Sequence, residues 1–113
     1  MKKSESLTDL GRFSEPALLI LVSLAEGPKH GHAILLDIEA LTGQRLGPGT
    51  LYGAIARLEE RALIRGRWVE KAGQRRRRYY RITDNGRAML ATQREDWARF
   101  IAALTQIAGV TPA

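Results

Sequence analysis

Residues 46–83 read LGPGTLYGAIARLEERALIRGRWVEKAGQRRRRYYRIT, and this stretch decides the fold. Its first part places apolar residues at the spacing of a helix, with Pro48 near the first helical position, where proline fits best. After Leu63 and Ile64 the apolar spacing changes, and strand-forming residues surround a segment that contains Gly73. The stretch therefore predicts a helix followed by a β-hairpin.

The helix of this stretch presents different residues on its two sides. At about 100° per residue, its buried stripe consists of Leu51, Ile55, Leu58 and Ala62. Its outward side carries the small residues Gly49, Gly53 and Ala56, flanked by Thr50 and Arg57. Small outward residues and free backbone amides at the N-terminus suit a helix that approaches phosphate and the major groove of DNA closely.

The hairpin is predicted from two strands, at about residues 65–70 and 76–83. The connection between them consists of Lys71, Ala72, Gly73 and Gln74. Alternation along the second strand gives two faces, one with Tyr80 and Ile82 and the other with Tyr79, Arg81 and Thr83.

Two helices precede this stretch. The first is predicted to begin at Ser14-Glu15-Pro16, since a side-chain oxygen, a carboxylate and a proline suit a helix start. It should end near Glu26, before Gly27-Pro28. The second runs from about Gly31 to Thr42 and ends at Gly43. Its apolar stripe consists of Ile34, Leu35, Ile38 and Leu41.

A long helix follows the hairpin, capped by Thr83 or Asp84 and extending to about Ile107. Its apolar positions are Leu90, Trp97, Ile101, Leu104 and Ala108. At about 1.5 Å per residue such a helix is longer than one small core can cover, so its stripe requires a second chain.

The element order predicts a mainly α protein with a two-stranded β-wing: a winged helix-turn-helix plus a long C-terminal dimerisation helix. The predicted boundaries are an N-terminal arm at residues 1–12, the winged helix-turn-helix domain at 13–83, the dimerisation helix at 84–108 and a tail at 109–113.

Positive charge is concentrated in the hairpin. The 113 residues include eighteen basic and twelve acidic side chains, for a net charge of +6. Residues 65–81 hold eight basic groups against Glu70 alone, a local charge of +7, and the rest of the chain sums to −1. Such a field suits the phosphates of DNA or RNA. An anionic membrane is the weaker interpretation, because no basic amphipathic helix accompanies the cluster.

Composition also argues against several classes of protein. The absence of cysteine excludes disulfides, cysteine-ligated zinc and thiol catalysis. Residues 17–24, interrupted only by Ser23, form the longest apolar run and cover about half of a membrane span. No signal peptide is evident, so the cytosol is the expected compartment. Gly47-Pro48-Gly49 lacks the lysine of a phosphate-binding loop, and the histidines have no evident catalytic partner. We therefore expect neither an enzyme nor a cofactor.

Several short motifs occur in a characteristic order. They are Gly47-Pro48-Gly49-Thr50-Leu51-Tyr52, Leu58-Glu59, Leu63-Ile64, QRRRRYYRIT at 74–83, and Asn85-Gly86. Together they make the chain resemble the PadR family of transcriptional regulators, in its short form with a single C-terminal helix. The resemblance extends from Pro16 to about Leu104. It implies a homodimeric repressor that binds double-stranded DNA at a palindromic operator and is often released by a small aromatic or amphipathic effector.

The resemblance implies which residues meet DNA. Thr50 and Tyr52 match positions of the recognition helix, beside Gly49, although Tyr52 could equally be a half-buried boundary residue. Arg57 points outward, either to a phosphate or only to solvent. The wing supplies Arg75, Arg76, Arg77 and Arg78, of which strand alternation should aim only some at DNA.

Trp97 matches a position at which some family members place a tryptophan that faces its symmetry mate and stacks on flat ligands. The alternative is plain interface packing. Its neighbours in the candidate pocket and dimer interface are Phe100, Ile101 and Leu104.

The sequence departs from the family at Lys29-His30-Gly31-His32, where tyrosines commonly flank the glycine. Two histidines without a clear third ligand make a poor metal site, so we expect no metal there. A role at a helix start or near a phosphate is the preferred interpretation.

Two other binding classes compete with a DNA-binding regulator. A basic RNA-binding or ribosome-associated protein would use the arginines with Tyr79 and Tyr80, but the long dimerising helix argues against it. A winged helix that binds only protein partners would have a neutral wing, and this wing is strongly basic.

Overall fold

The computed structural model describes residues 15–108, which form four helices and three strands. The helices are α1 at Pro16–Leu24, α2 at Gly31–Thr42, α3 at Pro48–Glu60 and α4 at Asp84–Ala108. The strands are β1 at Lys29–His30, β2 at Ile64–Val69 and β3 at Arg77–Ile82. The predicted arm at 1–12, the tail at 109–113 and Ser14 lie outside the described residues.

Helix α1 is shorter than the sequence pattern predicts. Pro16 occupies the first helical position, but the side chain of Glu15 makes no capping hydrogen bond. The helix ends at Leu24 rather than near Glu26. The amide of Gly27 donates to the Leu24 carbonyl oxygen at 3.1 Å, so the chain already leaves the helix in a turn before it reaches Gly27.

The helices and the inner side of the sheet enclose one apolar core. Its members are Ile20, Leu21, Leu24, Ile34, Ile38, Leu51, Ala54, Ile55, Leu58, Leu63, Ile64, Tyr80 and Ile82. Tyr80 and Ile82 are both buried, so the face of the second strand on which the sequence places these two residues is the inner one. Burial of Leu51, Ile55 and Leu58 confirms most of the stripe predicted for α3.

Two residues predicted for apolar stripes lie outside the core. Leu41 is 57% exposed because α2 extends past its neighbours in its last turn. Ala62 follows the end of α3 and has a φ of 59°, in the left-handed region, so it belongs to a turn and is exposed. Ala54, which the predicted stripe omitted, is buried in its place.

The sheet contains three strands within the described chain, one more than the two strands predicted for the wing. The order is β1-β3-β2, and both pairings are antiparallel. In the added pairing, Lys29 lies opposite Tyr80 and His30 opposite Tyr79. The sequence could not reveal β1, because two residues are too few to show a strand period.

The loop at the tip of the wing is longer than predicted. It spans residues 70–76, between the end of β2 and the start of β3. Gly73 has a φ of 74°, a conformation that glycine adopts without strain, and the Gln74 amide closes the turn on the Lys71 carbonyl oxygen at 3.0 Å. Arg75 and Arg76 therefore belong to the loop rather than to a strand.

The hairpin joins α4 at a tight junction. The Thr83 amide donates to the Leu63 carbonyl oxygen at 3.1 Å, and the Thr83 hydroxyl donates to the Ala62 carbonyl oxygen at 2.7 Å. The Gly86 amide donates to the same hydroxyl at 3.0 Å, which confirms Thr83 as the cap of the last helix. Gly86 is buried here, directly over the Leu63 carbonyl group.

Helix α4 leaves the core after its first turns. Met89 and Leu90 are partly buried and pack against the core, whereas Trp97, Leu104 and Ile107 are exposed in the single chain. The helix has 25 residues, a length of about 37 Å. Among the described helices, none combines the length and the apolar composition needed to cross a bilayer.

A small polar cluster joins α1, β1 and α2. Asp37 accepts hydrogen bonds from Lys29 and from the Ser23 hydroxyl, the latter at 2.7 Å. The hydrogen bond from Lys29, reinforced by that from Ser23, lowers the pKa of Asp37 below its usual value of 3.8. Hydrogen bonds to Asp37 and Glu26 raise the pKa of Lys29, although burial opposes them.

We expect Asp37→Asn to destabilise the fold at neutral pH and to remove part of its acid sensitivity. A carboxyl group whose pKa is depressed by folding contributes stability above its unfolded pKa, and this contribution is lost as the pH falls below about 3.8. The loss at pH 7 should be about 1 kcal/mol, because solvent screens a side chain that is 37% exposed. Urea unfolding of both proteins from pH 7 to pH 3 measures this, and parallel pH profiles would contradict it.

Candidate DNA-binding surface

The outward side of α3 is flat near its N-terminus, as its small residues predict. Gly49, Thr50 and Arg57 are exposed. A Cβ atom on Gly49 would meet nothing within 4 Å, and one on Gly53 would come only to 3.6 Å from Arg57 Nη1. A large planar or grooved partner can therefore approach the backbone of this helix closely.

Tyr52 lies at the boundary of this side. Its side chain is 49% exposed, and the other half of its ring packs on Gly31 at the start of α2. A Cβ on Gly31 would overlap the Tyr52 hydroxyl and lie 2.8 Å from Cζ, so the glycine allows the ring to lie there. The half-buried position is confirmed, whereas a contact of Tyr52 with DNA stays a prediction.

An ion pair fixes the wing against α3. Arg78 Nη2 donates to Glu59 Oε2 at 2.9 Å, and each side chain is about one-third exposed. The Arg78 guanidinium lies 5.8 Å from the ring centroid of Trp68 and 5.7 Å from that of Tyr80. Gly66 makes room for it, since a Cβ there would lie 2.7 Å from Arg78 Nε. The sequence does not reveal this link, because nothing in its pattern pairs Glu59 with one particular arginine of the four.

The remaining arginines of the wing run have no carboxylate partner among residues 15–108. Arg75 is exposed in the loop, the Arg76 guanidinium lies 4.8 Å from the Trp68 ring centroid, and Arg77 contacts His30. These side chains line a cleft of about 480 Å³ between the wing, the start of α2 and Tyr52 of α3. We call it the wing cleft, and its other walls include His30, His32, Tyr52 and Trp68.

The outer face of the sheet adds further positive charge. Arg65 lies directly opposite Arg81 and Arg67 opposite Tyr79 in the β2–β3 pairing. The Lys71 ammonium lies 5.4 Å from the Tyr79 ring centroid. Like charges directly opposite each other on a sheet are destabilising, so this face favours an anionic partner. The strongly basic character predicted for the wing is thus shared by its tip and its outer face.

The two histidines lie on the edge of the wing cleft. His30 is the N-cap of α2, and its Nδ1 accepts a hydrogen bond from the Ala33 amide at 3.2 Å. The rings of His30 and His32 are nearly parallel, with centroids 6.5 Å apart. Within residues 15–108 the structure contains no cluster of three or more His, Asp or Glu side chains that could hold a metal ion.

The predicted pocket residues lie together on α4, far along the helix from the core. The Trp97 and Phe100 rings stack with centroids 5.6 Å apart, Ile101 is half-buried, and Leu104 is 48% exposed. They form an apolar patch that extends to Ile107.

The chain has the fold of a winged-helix protein that binds DNA. It combines three helices with a three-stranded sheet that carries a basic wing, and the outward side of α3 is exposed beside that wing. Residues 20–92 match the Transcriptional regulator PadR-like family, and the chain belongs to this family. It is accordingly a transcriptional regulator and not an enzyme, as the sequence predicts.

Solved structures show the same fold. A transcriptional regulator from Clostridium thermocellum is 31% identical, with a TM-score of 0.70 over 87% of this chain and 96% of that chain. A PadR family transcription regulator from Clostridium difficile R20291 is 25% identical, with a TM-score of 0.72 over 81% of this chain and 96% of that chain.

A longer relative also contains a similar segment. An uncharacterized 37.1 kDa protein in transposon TN4556 of Streptomyces fradiae is 44% identical over 88 residues, which cover 78% of this chain. The matched segment is 24% of that relative, so the chain spans about a quarter of its length.

Proposed function

We propose that two copies of this chain bind a palindromic operator and repress transcription from it. The single observation that carries the proposal is the wing cleft, where Tyr52 of α3 lies beside Arg75, Arg76 and Arg77, three arginines with no carboxylate partner within residues 15–108. In a two-fold dimer, the two α3 helices would enter successive major grooves about 34 Å apart. Thr50 and Tyr52 would face base edges, and Arg57 a phosphate.

The apolar patch of α4 supports the dimer. Trp97, Leu104 and Ile107 are exposed on one helix in the single chain, and isolated helices seldom leave so much apolar surface in water. A second copy of α4 would cover it. Arg78 has a different role in this proposal, since its ion pair with Glu59 holds the wing in position beside α3.

Fluorescence anisotropy with labelled nucleic acids tests the proposal. Purified protein should bind duplex DNA from its own upstream region more tightly than a random duplex, and log affinity should fall linearly with log salt. A preference for single-stranded RNA would instead support the RNA-binding alternative. A protein that is monomeric in solution, or that binds no duplex at moderate salt, would contradict the proposed function. The cytosolic location predicted from the sequence stays a prediction.

We expect the double substitution Arg76→Ala and Arg77→Ala to weaken binding to operator and random duplex alike. Each lost phosphate contact should reduce the slope of log affinity against log salt by about 1. Arg94→Ala with Arg99→Ala is the matched control, because it removes the same charge from α4. An unchanged salt slope in the wing variant, or an equal change in the control, would remove the wing from the proposed interface.

We further propose that a small aromatic or amphipathic effector binds between the two α4 helices and releases the operator. The stacked Trp97 and Phe100 rings support this site. In a Trp68→Phe background, planar aromatic compounds should quench the emission of Trp97 and weaken operator binding in parallel. Emission that stays constant across a broad panel of such compounds would leave Trp97 with a packing role.

A further inference from the structure

His30 is held in place by two elements. It is the second residue of β1, where it lies opposite Tyr79 of β3, and the edge of its ring meets the Tyr79 ring with centroids 5.4 Å apart. Its Nδ1 accepts the Ala33 amide at 3.2 Å, so the ring also caps α2. Its remaining nitrogen, Nε2, lies on the edge of the wing cleft, 2.7 Å from Arg77 Nη1.

This arrangement aims two donors at one imidazole. A neutral histidine carries one N–H donor and one acceptor nitrogen, whereas a guanidinium only donates. If Nδ1 accepts the Ala33 amide, Nε2 carries the proton and points it at Arg77. If Nε2 accepts from Arg77, the proton on Nδ1 opposes the Ala33 amide. One donor therefore lacks an acceptor in either tautomer.

Protonation of His30 does not relieve this conflict, because an imidazolium has no acceptor at all. Burial, together with the positive charges of Arg77, His32 and Lys71, lowers the pKa of His30. The ring is consequently neutral at pH 7, and its cap on α2 favours the tautomer with the proton on Nε2. Nε2–H and the Arg77 guanidinium are then two donors that face each other, with their nitrogens 2.7 Å apart.

An anionic group that displaces this contact and accepts a hydrogen bond from each donor would satisfy both. Within residues 15–108, no carboxylate pairs with Arg77, and the wing cleft around it is lined by basic and aromatic side chains. Tyr52 of α3 lines the same cleft, so an anion there would lie beside the helix proposed to enter the major groove. The anion that a duplex presents next to an occupied major groove is a backbone phosphate.

We propose that His30 and Arg77 together bind one phosphate group of the DNA backbone, which replaces the contact between the two side chains in the free protein. This inference rests on the proposed function and adds a phosphate site and a residue to it. His30 thereby links the start of α2, the wing and the duplex.

His30→Asn and Arg77→Gln test the site, because asparagine still caps a helix but cannot reach Arg77. We expect His30→Asn to weaken operator and random duplex equally, about fivefold, with an unchanged salt slope. Arg77→Gln should cost about tenfold and reduce the slope by about 1. The double variant should bind nearly as well as Arg77→Gln alone, since both residues hold the same phosphate.

His32→Asn is the matched control. Its ring lines the cleft without contacting Arg77, so any effect it has should add to that of Arg77→Gln. Thermal unfolding checks that His30→Asn keeps the fold. Additive effects of His30→Asn and Arg77→Gln, or undiminished binding by folded His30→Asn, would overturn the inference.

Inorganic phosphate provides a second measurement that does not require DNA. Millimolar phosphate should shift the imidazole resonances of His30 in NMR spectra of the wild type but not of Arg77→Gln, and chloride at equal ionic strength should not. If the wild type binds no duplex, the proposed function fails while this response still reports on the site. A response to phosphate together with undiminished DNA binding by His30→Asn would assign the site to free phosphate and overturn the DNA inference. If phosphate leaves the His30 resonances of the wild type unchanged, the proposed phosphate site itself is overturned.

Discussion

Gly86→Ala is expected to lower the free energy of unfolding by about 3 kcal/mol and the melting temperature by roughly 10–20 °C. A Cβ atom on this residue would overlap the Leu63 carbonyl oxygen and lie 2.7 Å from Ile82 Cγ1. The carbonyl cannot easily move, because it accepts the Thr83 amide at the junction of the hairpin and α4. The added methyl group must therefore separate the last helix from the sheet.

Gly53→Ala is the matched control for this substitution. It also places alanine in a helix, but its Cβ would meet only Arg57 Nη1, at 3.6 Å. We expect it to raise stability by about 0.5–1 kcal/mol, since alanine favours a helix more than glycine does. Both variants should be melted at one protein concentration, because dimerisation would make the midpoint depend on concentration. Equal melting temperatures for Gly86→Ala and the wild type would contradict the prediction and show that the junction accommodates the added methyl group.

Leu104→Glu is expected to convert the proposed dimer into monomers and to reduce operator affinity by roughly 100-fold or more. Leu104 is 48% exposed in the single chain and lies within the apolar patch of α4. The introduced carboxylate would be buried in the dimer without a partner, which costs free energy of association. Because the interface is symmetric, this cost occurs twice, once in each subunit. Without the dimer, each half-site must bind alone and loses the high effective concentration that linkage provides.

Gln106→Glu is the matched control for the interface. It introduces the same charge two residues away, at an exposed position that points to the other side of the helix. Analytical ultracentrifugation should show a dimer for this control and a monomer for Leu104→Glu, and anisotropy should show operator binding only for the control. A Leu104→Glu protein that remains dimeric would place the interface elsewhere.

The sequence predicts helices well where a residue with a distinct backbone preference ends them. The bounds of α2 agree with the prediction, because Gly43 adopts the left-handed conformation at its C-terminus with a φ of 75°. The start of α3 at Pro48 follows from the fixed φ of proline. The error at the end of α1 has a related cause, since the turn begins at Ala25, which carries no such signal.

Features that depend on long-range pairing are not visible in the sequence. Strand β1 exists because its two residues meet the edge of β3, not because they favour an extended chain. The predicted stripes of α2 and α3 failed only at Leu41 and Ala62, where the helix has passed or left the core. Periodicity shows which side of a helix is apolar, but not how far the neighbouring elements extend.

The candidate site was predictable in composition but not in arrangement. The run of four arginines indicated an anionic partner. Only the tertiary structure separates Arg78, which pairs with Glu59, from the other three, which have no carboxylate partner within residues 15–108. The same holds for His30, whose capping nitrogen follows from its place before α2 while its contact with Arg77 does not.

The two-residue strand β1 has a mechanical consequence. Its pairing with β3 joins the beginning of α2 to the middle of the hairpin, which restricts movement of the wing relative to the helix-turn-helix. In the proposed dimer, a signal from the proposed effector that passes through α4 would accordingly rotate each winged helix-turn-helix as one unit about the junction at Gly86. A loss of operator affinity would then result from a changed angle between the two DNA-binding domains of the proposed dimer, and the secondary structure within each domain would be preserved.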